Sequence, residues 1–203
     1  MAIKSKSAIC NQNLCFCLTT AQSHTAHLTN INEFLDYNFT AKMQSDSAGR
    51  ALSSIITKMI KNNGFPFSVY STLFEACVCS ISLYGGEVFG YAEYESQFRI
   101  HTRAIRAFLG LPKQVTSFGL VSEVEWLLPR FQSHIRMIQY FSRIMCTPSN
   151  RLTYRVFKWD RQVAESNNII TWSSEVKSIL CDNGLSSIYE KQQIFPIKST
   201  IAQ

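Results

Sequence analysis

Acidic residues are scarce in this chain, with 14 Asp and Glu among 203 residues, and no two of them adjoin. The aspartates are Asp36, Asp46, Asp160 and Asp182, each far from the next. A two-metal site for nucleotidyl transfer needs clustered carboxylates to hold its ions, and no such cluster stands in the sequence. A Gly-x-x-x-x-Gly-Lys phosphate loop, a Gly-x-Ser-x-Gly elbow and a His-Glu-x-x-His helix are missing as well. No catalytic residue and no cofactor are therefore expected. Glycine and proline are few, 8 and 5, which excludes collagen-like and linker-like chains. The 12% of aromatic residues exclude a disordered tail. No Cys-x-x-Cys pair occurs among the 7 cysteines. This odd count, with Cys77 and Cys79 in an apolar stretch, fits a reducing interior, cytoplasmic or nuclear. Cys15-x-Cys17 followed by His24-x-x-His27 matches no standard zinc spacing, so no metal is expected. The apolar run from Ala8 to Leu18 is broken by Asn11, Gln12 and Asn13, which disfavours a secretory leader. The most apolar segment, 67–84, carries Glu75 and several Ser and Thr and falls short of a membrane span, so no membrane partner is expected.

What the chain does have is positive charge, and it is concentrated. Lys and Arg number 20, for a net charge of +6. Residues 99–161 hold 11 basic and 3 acidic residues, whereas each flanking segment is net negative by one. The whole excess sits in that middle stretch. Such asymmetry points to a polyanion, nucleic acid before membrane, or more blandly to solvated helix faces.

Apolar residues recur at three-four spacing from Leu52 to Trp159, which predicts an all-α fold, an irregular bundle of six to eight helices. Residues 1–32 read as a poorly ordered arm, 33–192 as one helical domain and 193–203 as a tail. A short strand is the one β expectation, near 31–39. Ser45 or Asp46 is expected to cap a helix that Asn63-Gly64 ends, and Pro66 to open the next. That next helix, 67–84, is expected to be core with an outer stripe of Ser68, Ser71, Glu75 and Ser82. In a helix over 93–109, Arg99, Arg103 and Arg106 share a narrow arc, and His101 lies among apolar residues as a core histidine. A helix from Pro129 should turn Phe131, Ile135, Ile138, Phe141 and Met145 inward, with Arg136 and Arg143 outside. A helix over 151–166 should present Arg151, Arg155 and Lys158 on one side and bury Leu152, Val156 and Trp159. With Lys113, these nine cations are the candidate contacts to RNA or DNA backbone.

Several segments carry a family resemblance. They are Ser45-Asp46-Ser47-Ala48-Gly49-Arg50-Ala51-Leu52, the run from Ile81 to Gly90, Glu125-Trp126-Leu127, Asn150-Arg151-Leu152-Thr153 and Trp172-Ser173-Ser174. Arg103-Ala104-Ile105-Arg106-Ala107-Phe108-Leu109-Gly110-Leu111 belongs with them, with Thr102 where the family usually has Asn. Order and spacing over about 33–190 resemble the region after the palm, thumb and beyond, of non-LTR (LINE-type) retrotransposon reverse transcriptases. In that family an aromatic-Ala-Asp-Asp motif on the palm does the chemistry, and it would lie before residue 33. Residues 1–32 hold neither that motif nor fingers and palm. The resemblance therefore implies a truncated, decayed or domesticated copy with a thumb-like basic surface, and a palm-containing polypeptide as a possible partner. No catalytic residue carries over.

Two readings follow. One is a non-catalytic fragment that binds nucleic-acid backbone without sequence preference. The other is a helical protein-interaction module, or an inert relic with no nucleic-acid role. Under the first, replacing Arg99, Arg103 and Arg106 together by Gln is expected to leave the fold intact. Under both, primer extension on an RNA template with Mg²⁺ or Mn²⁺ should give no incorporation. Template-dependent synthesis that survives purification would contradict both.

Overall fold

A computed structural model of the chain describes residues 37–167 and 169–191, and among them every regular element is helical. The expected arm, its cysteine and histidine pairs, and the tail from 193 lie outside the described residues. Described residues 37–39, placed near a strand by the sequence, belong to a helix.

The first helix, α1 (Tyr37–Lys61), begins eight residues before the expected cap. Its core face carries Thr40, Ala41, Gln44, Ser45, Ala48, Leu52 and Ile55, so its first half is polar on the buried side and hides the apolar period. Asn63 and Gly64, with φ of 54° and 103°, end the helix as expected, and the Gly64 N–H returns to the Met59 carbonyl at 2.8 Å. After Pro66 come α2 (Phe67–Leu73), a π-helical stretch (Phe74–Cys79) and α3 (Ser80–Ser82). In a regular helix Cys79 would lie about 180° around from Tyr70. The wider π turn changes that phase, and Tyr70, Phe74, Cys77, Val78, Cys79, Ile81 and Leu83 are all buried. Ser82, expected on the outer stripe, is buried too. The remaining helices are α4 (Gly86–Phe89), α5 (Glu95–Leu109), α6 (Ser117–Val124), α7 (Pro129–Met145), α8 (Leu152–Asn167), α9 (Trp172–Asp182) and α10 (Ser186–Lys191).

The chain divides into two compact units. Among the described residues, the first runs from Tyr37 to Tyr84 and resumes from Tyr94 to Pro129; the second holds Gly85–Glu93 and the described residues from Arg130. In the first unit α1, the α2–α3 run and α5 close around Leu52, Ile55, Tyr70, Phe74, Val78, Ile81 and Ala104. Trp126 stacks on Phe74 with centroids 4.4 Å apart and planes 5° from parallel. The Tyr70 hydroxyl donates to the Ala104 carbonyl at 2.8 Å. Gly49 lets α1 pass close to α5, since a Cβ there would stand 3.3 Å from Ile100 Cδ1.

In the second unit Met137, Phe141 and Ile144 of α7 meet Phe157 of α8, Val176, Ile179 and Leu180 of α9, and Tyr189 of α10. Thr171 and Ser174 form a capping box at the start of α9, and Asp160 accepts from the Ser173 N–H at 2.8 Å. The inward face of α8 differs from that expected, and that of α7 agrees in part, with Phe141 buried and Ile138 and Met145 packed against the core. On α7 the buried line is Ser133, Met137, Phe141 and Ile144, while Phe131 is 47% exposed. On α8 Phe157 is buried, and Leu152, Val156 and Trp159 are exposed. In both helices the sequence offers apolar residues on more than one face, and period alone did not decide which face the core took.

His101 is the buried histidine the sequence suggested. It packs edge-on to Phe74 and Trp126, both at 5.5 Å, and its Nε2 has no hydrogen-bond partner. Burial lowers its pKa from 6.5 to about 4. Between those values the unfolded chain takes up a proton that the folded imidazole does not, so stability falls as pH drops through that window. The full difference is about 3 kcal/mol, reached below the folded pKa. The urea midpoint should therefore fall between pH 7 and pH 4.5, and His101→Phe should flatten that fall. Burial and Arg130 also lower the His134 pKa, so a residual slope from the second unit should remain. A variant with the parent's pH dependence would overturn this assignment.

Candidate nucleic-acid interface

Helix α5 projects Arg99, Arg103 and Arg106 from adjoining turns, but the fold uses them differently. Arg99 pairs with Glu95 one turn back at 2.9 Å, with both side chains exposed. Arg103 is exposed and donates to Ser53 Oγ on α1 at 3.1 Å. Arg106 is half-buried: its Nη2 donates to the Val115 carbonyl at 3.0 Å and to Ser117 Oγ at 3.1 Å. It ties the loop after Gly110 to the start of α6. Lys113 is exposed in that loop.

Beside Arg99 lies a groove of about 470 Å³ lined by Lys42, Asp46, Glu95 and Arg99, with Ser45 and Ser96 between them. Two carboxylates match its two cations, so the first unit offers a phosphate no net attraction there.

The second unit holds the other five cations. Arg136 is half-buried and engaged in contacts of its own. Arg143 is exposed and its guanidinium lies 5.6 Å from the centre of the Tyr140 ring. Arg151, Arg155 and Lys158 are exposed, and among the described residues none of their side chains enters an ion pair. At the turn between α7 and α8 a groove of about 490 Å³ is lined by Ser142, Arg143, Cys146, Thr147, Pro148, Arg151 and Thr153. It contains two arginines, three hydroxyls and no carboxylate. The Thr147 hydroxyl already donates to the Arg143 carbonyl at 2.8 Å and Ser142 is buried, so the two arginines, with the exposed Thr153, carry what the groove offers a phosphate.

The hydroxyls were not singled out from sequence. Their signal was the Thr147-Pro148-Ser149-Asn150 turn with Arg143 and Arg151 at its two ends, since a tight turn brings flanking residues together. Among the described residues no group of three His, Cys, Asp or Glu gathers to hold a metal, and no helix is long and apolar enough to cross a membrane.

The contacts of Arg106 give its replacement a cost in stability that the exchange of Arg99 does not carry. Arg106→Gln should lower stability by about 1–2 kcal/mol, because it leaves a loop carbonyl and a hydroxyl without their charged donor. Arg99→Gln, which removes only an exposed pair, should change it by less than about 0.5 kcal/mol. Urea unfolding of the two single variants checks the order, and equal losses would overturn it.

Comparison of the chain with protein-family models, with curated proteins and with solved structures finds no match.

Proposed function

We propose that the chain is a non-catalytic fragment related to non-LTR reverse transcriptases that binds nucleic-acid backbone without sequence preference. In this reading the second unit does the binding and the protein works inside the cell. The observation that carries it is the groove between α7 and α8, which Arg143 and Arg151 line with no acid. Arg155 and Lys158 extend the cationic surface along α8. The nine candidate cations are thereby reduced to four principal ones. The thumb-like role rests on the sequence resemblance, and the choice of residues rests on charge balance.

The reading of the chain as a protein-interaction module has its own support in the exposed apolar residues of α8, Leu152, Val156 and Trp159.

Titration of a labelled duplex or RNA–DNA hybrid at increasing salt tests the first reading. Each phosphate neutralised contributes about −0.9 to the slope of log affinity against log salt for B-form DNA. Four contacts should give a slope of about −3 to −4. Arg143→Gln with Arg151→Gln should make it shallower by about two units, whereas Arg99→Gln should leave it nearly unchanged. Binding without salt dependence, or a double variant that binds like the parent, would overturn the proposal.

A further inference from the structure

Along the outer face of α8, Leu152, Val156, Trp159 and Val163 succeed one another in steps of four, three and four. At about 100° per residue they fall within about 60°, on the side away from buried Phe157. An apolar stripe on a helix ordinarily faces its own core. Here Leu152, Val156 and Trp159 are 73%, 52% and 66% exposed, and Val163 is half-buried. Four-three-four spacing is the seam along which a second helix lies when two helices pack side by side. The two flanks of the seam differ. Arg155 borders one flank, with Arg151 and Lys158 farther round it, all exposed and unpaired among the described residues. Thr153 and Asp160 border the other, and Asp160 is already bound to the Ser173 N–H.

We propose that this face docks an amphipathic helix of another protein, with leucine-like residues on its seam and glutamate or aspartate along the flank that meets Arg151, Arg155 and Lys158. Charge complementarity selects this occupant. A second copy packed antiparallel would set the cationic flank against itself, and packed parallel it would offer Arg155 an Asp160 that is already engaged. A nucleic acid would find one stacking surface in Trp159, but Leu152 and Val156 have no planar face for a base. This docking draws on Arg151, Arg155 and Lys158, which the proposed nucleic-acid surface also uses, so the two ligands would compete for them.

The test uses the full chain and a short synthetic peptide of heptads, with Leu at both seam positions and Glu at both flanking positions. Trp159 reports binding, because Trp126 and Trp172 are half-buried. The Glu peptide should shift tryptophan emission to the blue and protect it from iodide. A peptide with Lys in place of Glu should bind at least about tenfold more weakly. Leu152→Gln with Val156→Gln keeps the reporter and changes only exposed positions, so the fold should stand. Its affinity for the Glu peptide should fall about tenfold. Arg155→Glu with Lys158→Glu should weaken the Glu peptide and strengthen the Lys peptide. Unchanged quenching with the Glu peptide, or equal binding of both peptides, would overturn the proposal. Protection of Trp159 by a single-stranded oligonucleotide but not by the peptide would overturn it in favour of nucleic acid. Protection that rises with chain concentration alone would overturn it in favour of a second copy.

Discussion

The carbonyls at the end of α3 have no next turn to bond, and two buried glutamines supply what the helix does not. Gln97 of α5 donates to the Ser82 carbonyl at 2.7 Å, and Gln44 of α1 donates to the Tyr84 carbonyl at 3.0 Å. The Ser82 carbonyl is buried, and left unpaired it would cost about 1–3 kcal/mol, so α5 lies where Gln97 reaches it; the Tyr84 carbonyl lies in a part-exposed turn. Gln97 and Gln44 are almost fully buried. They tie α1 and α5 to the end of the α2–α3 run, beside the apolar cluster that the three share. The aromatic stack of Trp126 on Phe74, the Tyr70 hydroxyl and His101 lie in the same unit. Burial raises the Tyr70 hydroxyl pKa above its usual value, which keeps it neutral as a donor to Ala104.

This constraint also explains what the sequence could tell. Helical character was legible because three-four spacing agreed with a stop signal at Asn63-Gly64 and with start signals at Pro66 and Pro129. The start of α1 was not, because Thr40, Gln44 and Ser45 face the core and read as solvent-facing polar residues. The inner face of α7 was legible in part, through Ile138, Phe141 and Met145, and that of α8 was not, for the opposite reason. Both helices carry apolar residues around much of their circumference, so hydrophobicity named several faces and packing chose among them. The π turn left no mark in the sequence.

The candidate site was legible as charge and illegible as geometry. Counting located the excess between residues 99 and 161. It could not show that Arg106 would be spent on the Val115 carbonyl, or that Asp46 and Glu95 would balance Lys42 and Arg99 in one groove. Arginine in a helix presents the same sequence pattern whether it binds a loop, an acid or a ligand. The difference lies in what surrounds the guanidinium, and in the groove between α7 and α8 that is hydroxyls without carboxylates.

The path of the chain has a consequence for inheritance. It leaves the first unit at Tyr84, contributes Gly85–Glu93 to the second, returns, and crosses again after Pro129. The short excursion is structural: Trp172 donates to the Glu87 carbonyl at 2.9 Å, and a Cβ on Gly90 would stand 2.5 Å from Ser133 Cβ. No single cut yields both units complete, since a fragment from Arg130 onward lacks the backbone that Trp172 binds. A single crossover within the gene would therefore part the second unit from the segment its Trp172 binds.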